Sequence, residues 1–572
     1  MEKIWLKSYP AGVPAQVPVD ESASLKTMME SVCTRFSNRP AFGNLGASIT
    51  YGELEHLSRS FAAYLQTACG MQKGDRIAIM LPNLLQQPVA LFGALRAGCV
   101  VVNTNPLYTA RELQHQLADS GAKAIVVLDN FAHIVQEVLP RTEVRHVLVS
   151  RLGDLLHFPK AQIANFVVHH VKHMVPAWHI DDAVALPDAL HRGESMPLLD
   201  IPLSAEDVAF LQYTGGTTGV PKGAILTHGN VLADVRQTVA WIAGVLEEGK
   251  ETAVIPLPLY HVFALTAMLS FFTLGATSLL ITNPRDLPAF IEELKHTKFS
   301  AMIGVNTLFN ALLNAPGFEH VDVSGAKIIV AGGMAVQRAV AEKWHQVVGM
   351  PIIEGYGLTE TSPIVCANRL DIDKYTGTVG LPIPSTEVAI LDDEGNELPL
   401  GTSGEICVRG PQVMKGYWNR PEETAHVFTD GGWLRTGDIG FMDENGYVKI
   451  MDRKKDVIIV SGFKVFPNEV EDVIAMHPGV LEVAAIPAVD AQSNEAVKAV
   501  IVRKDPALTV EEIIEHCRKN LTPYKVPKYV VFRNSPMPKS NIGKILRRIV
   551  REEEEHATRG DVAESGSVQE AY

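Results

Sequence analysis

The sequence predicts an α/β protein: a large unit of mostly parallel sheets flanked by helices, followed by a smaller α+β unit. Three observations lead there. Through the first two-thirds of the chain, helical periodicity alternates with short apolar runs. Glycines stand where such runs end, at Gly332-Gly333 and at Gly355 and Gly357, and the C-terminal ends of parallel strands are where ligands sit. Beyond about Thr376 the texture changes to short strands joined by Asp-Glu-Gly-Asn and Glu-Asn-Gly turns, the mark of an antiparallel unit.

In chain order, Thr109-Ala110-Arg111-Glu112 is a capping box that opens a helix ending at Gly121, and "AKAIVVLD" follows as a strand. The stretch Phe263 to Ile281 carries no charge and approaches the length that spans a bilayer. It divides at Gly275, however, so the expectation is a buried helix, a break, and a buried strand ending at Asn283-Pro284. "PRDLPAFIEELKHTKFSAMIGV" reads as helix then strand, and "AKIIVAGGM" as strand then glycine turn. The charge cluster Asp452 to Asp456 marks a boundary. Beyond it, helices are expected near Glu469 to Met476 and Val510 to Asn520, with strands near Val483 and Val497. The division is 1–452, with a β-rich subdomain from about 376, then 453–551, then an acidic tail 552–572 expected to lack fixed structure beyond the helix carrying Glu552 to Glu555.

Composition narrows the function. The 572 residues carry a net charge of −14 and a pI near 5.8, against any broad nucleic-acid surface. Six scattered cysteines without a C-x-x-C pair point to a reducing cytosol and no structural zinc. The start, "MEKIWLKSYPAG", has no apolar core of a secretory signal.

The loop "YTGGTTGVPKG", Tyr213 to Gly223, combines glycines that let backbone approach an anion with threonine hydroxyls and one ammonium, the makings of a phosphate cradle. It is not a Walker A loop, since Lys222 follows Val220-Pro221 and precedes Gly223. The other Gly-Lys pair, Gly543-Lys544, precedes Ile545 and has Pro538 where the first glycine would stand. An ordinary turn needs one or two glycines; this loop has four.

Four further segments belong with it: "EGYGLTET" from Glu354, "GWLRTGDIG" with Asp438, "MDRKKD" with Arg453, and "PKSNIGKILRR" with Lys544. With these motifs the chain resembles the adenylate-forming superfamily of acyl-CoA synthetases, and "LPLYHVFAL", "GVNTLFNALLN" and "DRKKDVIIVSGFKVFPNEVEDV" are wordings similar to its bacterial long-chain fatty-acid–CoA ligases. The resemblance covers nearly the whole chain. It implies the adenylate-forming fold: a large N-terminal domain of stacked, mostly parallel sheets with a small β-barrel, and a small mobile C-terminal domain. It also implies a two-step reaction in which a fatty carboxylate attacks the α-phosphate of ATP and the coenzyme A thiol then displaces AMP.

Residue by residue, the resemblance implies that Tyr213, Thr214, Gly215, Gly216, Thr217, Thr218, Gly219 and Lys222 embrace the triphosphate. Thr214 and Glu360 would hold Mg²⁺, and Thr359 would touch the α-phosphate. Tyr356 would lie against adenine, beside Gly332, Gly333, Met334, Glu354, Gly355 and Gly357. Asp438 would accept from the ribose hydroxyls, assisted by Arg453, and Lys544 would bridge carboxylate and phosphoryl group. Lys455 takes the hinge position; Gly462 and Phe463 would line the coenzyme A channel; His261, Val262, Phe263 and Asn306 would border the acyl pocket. By residue type alone, His261 reads equally as a core histidine, and Lys544 as a solvated lysine before a basic helix. Lys519, Lys525 and Lys528 are candidates for the coenzyme A 3′-phosphate.

The implied partners are a long-chain fatty acid, ATP and coenzyme A, with homodimer formation left open. In "LLHFPKAQIANFVVHHVKHMVPAWH", Ile163, Phe166, Val167, Val171 and Met174 share one helical face. That pattern fits either a surface helix packed by its apolar side or an interfacial helix holding a cytoplasmic enzyme at the inner membrane face. The rival readings are a fatty acyl-AMP ligase, a medium-chain or aryl-CoA ligase, and an integral fatty-acid transporter spanning at Phe263 to Ile281.

Overall fold

Four sheets organise the chain, and the helices between strands decide which neighbours run parallel. The computed structural model describes residues 2–18, 20–214, 221–490 and 493–561. One sheet has seven strands in the order Val184–Ala185, His146–Ser150, Ala124–Leu128, Arg76–Met80, Val100–Asn103, Val208–Thr214, Lys222–Thr227. Its neighbours are parallel except the last two, which form a hairpin with Thr214 opposite Lys222. Parallel strands need a crossover. One is the helix Ala110–Ser120, opened by the Thr109/Glu112 capping box and closed by Gly121 at φ +60°, as its sequence predicts.

A nine-stranded sheet runs Leu381–Pro382, Ile364–Ala367, Ile353–Gly357, Ile328–Ala331, Ala301–Gly304, Thr252–Ile255, Thr277–Leu280, Pro40–Asn44, Ala47–Thr50. It is parallel from Ile353–Gly357 to Pro40–Asn44 and antiparallel at its two ends. The charge-free stretch resolves into the helix Val262–Thr273 and the strand Thr277–Leu280. Between them Gly275 turns at φ +67°, and a Cβ there would stand 2.7 Å from the Phe36 ring, so only glycine fits. Among the described residues, no helix is long and apolar enough to cross a membrane.

The β-rich subdomain differs from expectation. Its strands Glu387–Leu391, Gly404–Arg409, Leu434–Met442 and Val448–Arg453 form an antiparallel meander whose two end strands do not pair with each other. The barrel stays open because the outer edge of Val448–Arg453 is already taken: Val379 N–H donates to the Val448 carbonyl at 2.9 Å and Val448 N–H to Gly380 at 2.8 Å.

The small α+β unit has five strands: Ile458–Val460, Phe463–Val465, Val480–Asp490, Asn494–Arg503 and Tyr529–Arg533. They carry the helices Pro467–Ala475 and Val510–Asn520. Its core, built from Ile458, Val470, Ile474, Val497 and Ile513 among others, is separate from the large core, whose last member is Val448. The final helix runs Arg547–Asp561, past the expected Glu555, and residues 562–572 lie outside the described residues.

The six cysteines are free, five of them buried and Cys69 half-buried. Burial pushes the thiols of Cys33, Cys99, Cys407 and Cys517 up to about 12, that of Cys69 to about 11, and that of Cys366 higher still.

The segment after Leu155 is two short pieces, the helix Lys160–Phe166 and a wider π-turn Val167–Val171. It does not pack by its apolar side: Phe158 is 83% exposed, and Ile163, Phe166, Val171 and Met174 also face outward. Val168 is the buried member.

Candidate active site

A cavity of about 1980 Å³ lies where the C-terminal ends of the two large sheets meet the meander and the small unit. Thr214 and Lys222, the two stems of the glycine–threonine loop, line one wall. Gly215, Gly216, Thr217, Thr218 and Gly219 lie outside the described residues. The stems are braced from behind. The Tyr213 hydroxyl donates to Asp119 Oδ2 at 2.6 Å, and Arg420 holds Asp119 Oδ1 at 2.8 Å. Trp418 Nε1–H donates to the Asp119 carbonyl at 3.1 Å, and Trp418 N–H to the Gly223 carbonyl at 2.8 Å. Tyr213, expected among the phosphate contacts, lines the cavity beside Thr214 while its hydroxyl is committed to Asp119. Lys222 is ion-paired with Glu423, and its Nζ stands 5.3 Å from the centre of the Tyr417 ring.

The strand Ile353–Gly357 and the 3₁₀ turn Thr359–Thr361 form the next wall. Thr359 and Glu360 line the cavity. The Tyr417 hydroxyl donates to Glu360 Oε1 at 2.7 Å, which fixes the carboxylate by one oxygen. Gly357 is required by packing: a Cβ there would lie 1.9 Å from the Pro363 carbonyl oxygen. Glu354 is buried, accepting from Val336 N–H at 3.2 Å; loss of solvent pushes its carboxyl up to about 8.

On the third side, the Tyr356 hydroxyl donates to Asp438 Oδ2 at 2.6 Å and Arg453 Nε–H to Oδ1 at 2.7 Å. Burial raises the Asp438 carboxyl, partly offset by the Arg453 guanidinium. Gly332, Gly333 and Met334 complete the slot beside Tyr356. A Cβ on Gly332 would sit 3.1 Å from the Phe263 ring, so the slot and the neighbourhood of Phe263 are contiguous.

Lys544 enters from the small unit. Its backbone is held by Ser540, whose N–H donates to the Lys544 carbonyl at 2.7 Å and whose Oγ accepts from Lys544 N–H at 3.1 Å. Among the described residues, no carboxylate lies within ion-pair distance of Lys544 Nζ. Burial, and then repulsion from Arg453, lower its affinity for the proton. His261 caps the helix Val262–Thr273, its Nδ1 accepting from Phe263 N–H at 3.3 Å. Burial, with a smaller contribution from Lys544, pushes the imidazole down to about 4, so it is neutral near pH 7. Asn306 is paired on both amide atoms with Gln337, at 3.0 and 3.2 Å.

Other expected residues lie apart. Gly462 and Phe463 form the tip of a hairpin; Phe463 is exposed, stacks on Tyr524 at 4.8 Å, and does not line this cavity. Lys519, Lys525 and Lys528 are ion-paired with Glu515, Glu469 and Asp490. Lys455 lines the cavity at the junction of the two units.

The sequence hid two groups. Arg547, in the basic segment after Lys544, is enclosed and bonds Glu471 and Asp452 at 2.7 Å each. Asp119, the hub behind the loop, sits in the last turn of the helix Ala110–Ser120, and its partners Tyr213 and Arg420 are 94 and 301 residues away. No local pattern signals either.

Architecture and cavity together define an α/β enzyme that works on a nucleotide between a large unit and a small one. Residues 29–418 match the family of AMP-binding enzymes and residues 469–544 the C-terminal domain of AMP-binding enzymes, and the chain belongs to that family. It is 54% identical over 554 residues to a long-chain-fatty-acid–CoA ligase of Escherichia coli O6:H1, covering 97% of this chain and 98% of that protein. An enzyme of the same description from Yersinia pestis is 54% identical over 555 residues, with the same coverage. Among solved structures, an anthranilate CoA ligase, AuaEII, in complex with anthranoyl-AMP matches with a TM-score of 0.83 at 23% identity, over 95% of this chain and 99% of that one, which shows the shared fold.

Proposed function

We infer that this chain is a long-chain-fatty-acid–CoA ligase, joining a fatty acid to coenzyme A at the expense of ATP, through an acyl-adenylate, with release of AMP and pyrophosphate. The observation that carries the mechanism is Lys544: an ammonium without a carboxylate partner among the described residues, brought by the small unit to a cavity that also holds Asp438, Tyr356 and Glu360. Adenylation drives a carboxylate against a phosphate, so it needs cationic positioning more than covalent catalysis. Lys544 would stand between the two anions and stabilise the charge that develops as the new C–O–P bond forms and pyrophosphate leaves.

The remaining roles follow from position. Asp438, oriented by Tyr356 and Arg453, accepts from the ribose hydroxyls. Tyr356 and the Gly332–Met334 turn border the adenine; Thr214, Lys222 and Thr359 face the phosphates. For Mg²⁺ the donor set fits: Glu360 has one oxygen held by Tyr417 and a second left for a cation, and Thr214 adds a hydroxyl on the same cavity. Magnesium ordinarily takes few protein oxygens beside phosphates and water; when bound, it neutralises phosphate charge. Neutral His261 with Phe263 gives the carboxylate end of the acyl chain a partly apolar seat.

Phe463 and Gly462 lie away from the cavity, and Lys544 lies in it. Both are accommodated if the small unit rotates about Lys455 between steps, withdrawing Lys544 and bringing the Gly462 hairpin in for the coenzyme A thiol.

The outward-facing Phe158, Ile163, Phe166, Val171 and Met174, beside Lys172, support peripheral contact with a lipid surface, where long-chain substrates reside. Sedimentation with anionic liposomes should carry the protein down, and Phe158→Ser with Phe166→Ser should reduce that; equal binding by the variant removes this surface from the reading.

The deciding assay supplies ATP, Mg²⁺ and fatty acids of graded length, with and without coenzyme A, and follows AMP and acyl-CoA together. Acyl-CoA rising with AMP, fastest for long chains, is the expected result. Acyl-adenylate accumulating without thioester would make the chain an acyl-AMP ligase.

A further inference from the structure

The helix Asn306–Asn314 meets the small unit through three polar side chains. Thr307 Oγ1–H donates to the Gly543 carbonyl at 2.9 Å, Asn310 Nδ2–H to the Leu481 carbonyl at 3.3 Å, and Asn314 Oδ1 accepts from Lys504 Nζ at 2.8 Å. Residues three and four apart share a helix face, so the three contacts form one strip along the side turned to the small unit. The strip begins next to Lys544. Gly543 turns at φ +89°, and a Cβ on it would lie 2.7 Å from Thr307 Oγ1. On the opposite side, Ile542 Cδ1 comes within 3.4 Å of where a Cβ on Gly333 would stand. The segment carrying Lys544 is thus seated between the start of this helix and the glycine turn beside Tyr356.

We propose that Thr307, Asn310 and Asn314 are positioning residues that dock the small unit in the orientation placing Lys544 over the cavity, and thereby set how the enzyme divides its time between adenylation and thioester formation. The proposal rests on the two-orientation reading given above. The chemistry of the strip suits a reversible dock. Two of its bonds end on backbone carbonyls and the third on a lysine ammonium, all partners that water replaces when the units separate. An apolar strip would expose its whole area to water at every separation and hold the unit closed. The backbone contact Arg338 N–H to Asp472 Oδ1, at 3.0 Å, crosses the same boundary and orients the dock without a further side chain from the large unit.

The test separates the half-reactions. Acyl-adenylate formation is timed in single turnover with ATP, Mg²⁺ and a long-chain fatty acid; thioester formation is timed from supplied acyl-adenylate and coenzyme A. Thr307→Val combined with Asn310→Ala should slow adenylation about tenfold while thioester formation stays equal or rises, which also shows the variant folded. Thr307→Ser should restore adenylation. Asn314→Lys, which opposes Lys504, should slow adenylation by about twofold at low ionic strength and less in high salt. Equal losses in both half-reactions, or unchanged adenylation, overturn the proposal. Lys455→Pro run alongside distinguishes the two levels: if it slows both steps equally, the two-orientation reading itself fails; if it separates them and the strip variants do not, the strip alone is wrong.

Discussion

Tyr356 and Asp438 are joined by a 2.6 Å hydrogen bond from phenol to carboxylate, across 82 residues of sequence and between two different sheets. The bond orients the buried carboxylate proposed above to take the ribose hydroxyls. Tyr356→Phe deletes the donor and leaves Asp438 with Arg453 alone. A hydrogen bond of this kind contributes about 1–2 kcal/mol, so KM for ATP should rise about fivefold to thirtyfold with kcat within about twofold. Steady-state kinetics at saturating fatty acid and coenzyme A check this; an unchanged KM would detach Asp438 from nucleotide binding.

Lys544→Ala removes the cation aimed at the cavity. Loss of one preorganised charge donor costs on the order of 10²- to 10³-fold. That loss should fall on acyl-adenylate formation, while thioester formation from supplied acyl-adenylate should survive. Comparable loss in both half-reactions would mean that Lys544 supports structure instead.

Lys455→Pro stiffens the junction between the two units. On the two-orientation reading, in which the arrangement with Lys544 in the cavity serves adenylation, thioester formation should suffer more than adenylation. Quenched-flow measurement of both steps decides it.

Glu354 gives a pH signature. Its carboxyl, raised to about 8 in the folded protein, is near 4.3 in an unfolded chain. Between these values the folded state holds a proton that the unfolded state has released. Glu354 therefore contributes stability in full below the unfolded value, and that contribution is lost as pH rises towards the folded one. Glu354→Gln abolishes the effect. The Tm of the variant minus that of the wild type should climb from pH 5 to pH 8; a flat difference would refute a protonated Glu354. His261 and His228, both pushed down to about 4 by burial, act at the other end. Each is neutral when folded and takes up a proton on unfolding, so both wild type and variant should lose Tm as pH falls below about 6.5.

Much of this was legible from local chemistry. The Thr109/Glu112 cap, the break at Gly275 and the strand–turn at Gly332-Gly333 each follow from residues a few positions apart. The motif segments that gather around the cavity could be picked out because glycine, threonine and charge are concentrated in them. What stayed hidden depends on partners distant in sequence. That the Tyr213 hydroxyl is tied to Asp119, 94 residues away, has no local signal. The enclosure of Arg547 had no local sign because its partners Asp452 and Glu471 lie 95 and 76 residues away. The expected barrel stayed open because Val379 and Gly380, outside the subdomain's own strands, occupy its edge.

The buried cysteines have a practical corollary. An enzyme that handles a thiol substrate keeps five of its own six thiols buried and the sixth, Cys69, half-buried, with affinities for the proton raised well above neutrality. Colorimetric thiol reagents will therefore count free coenzyme A with little contribution from the protein beyond Cys69. The same burial makes the chain a near-ready background for site-specific labelling: one cysteine introduced on each side of Lys455 could carry a dye pair whose distance reports the rotation, with Cys69 the one native cysteine to replace first.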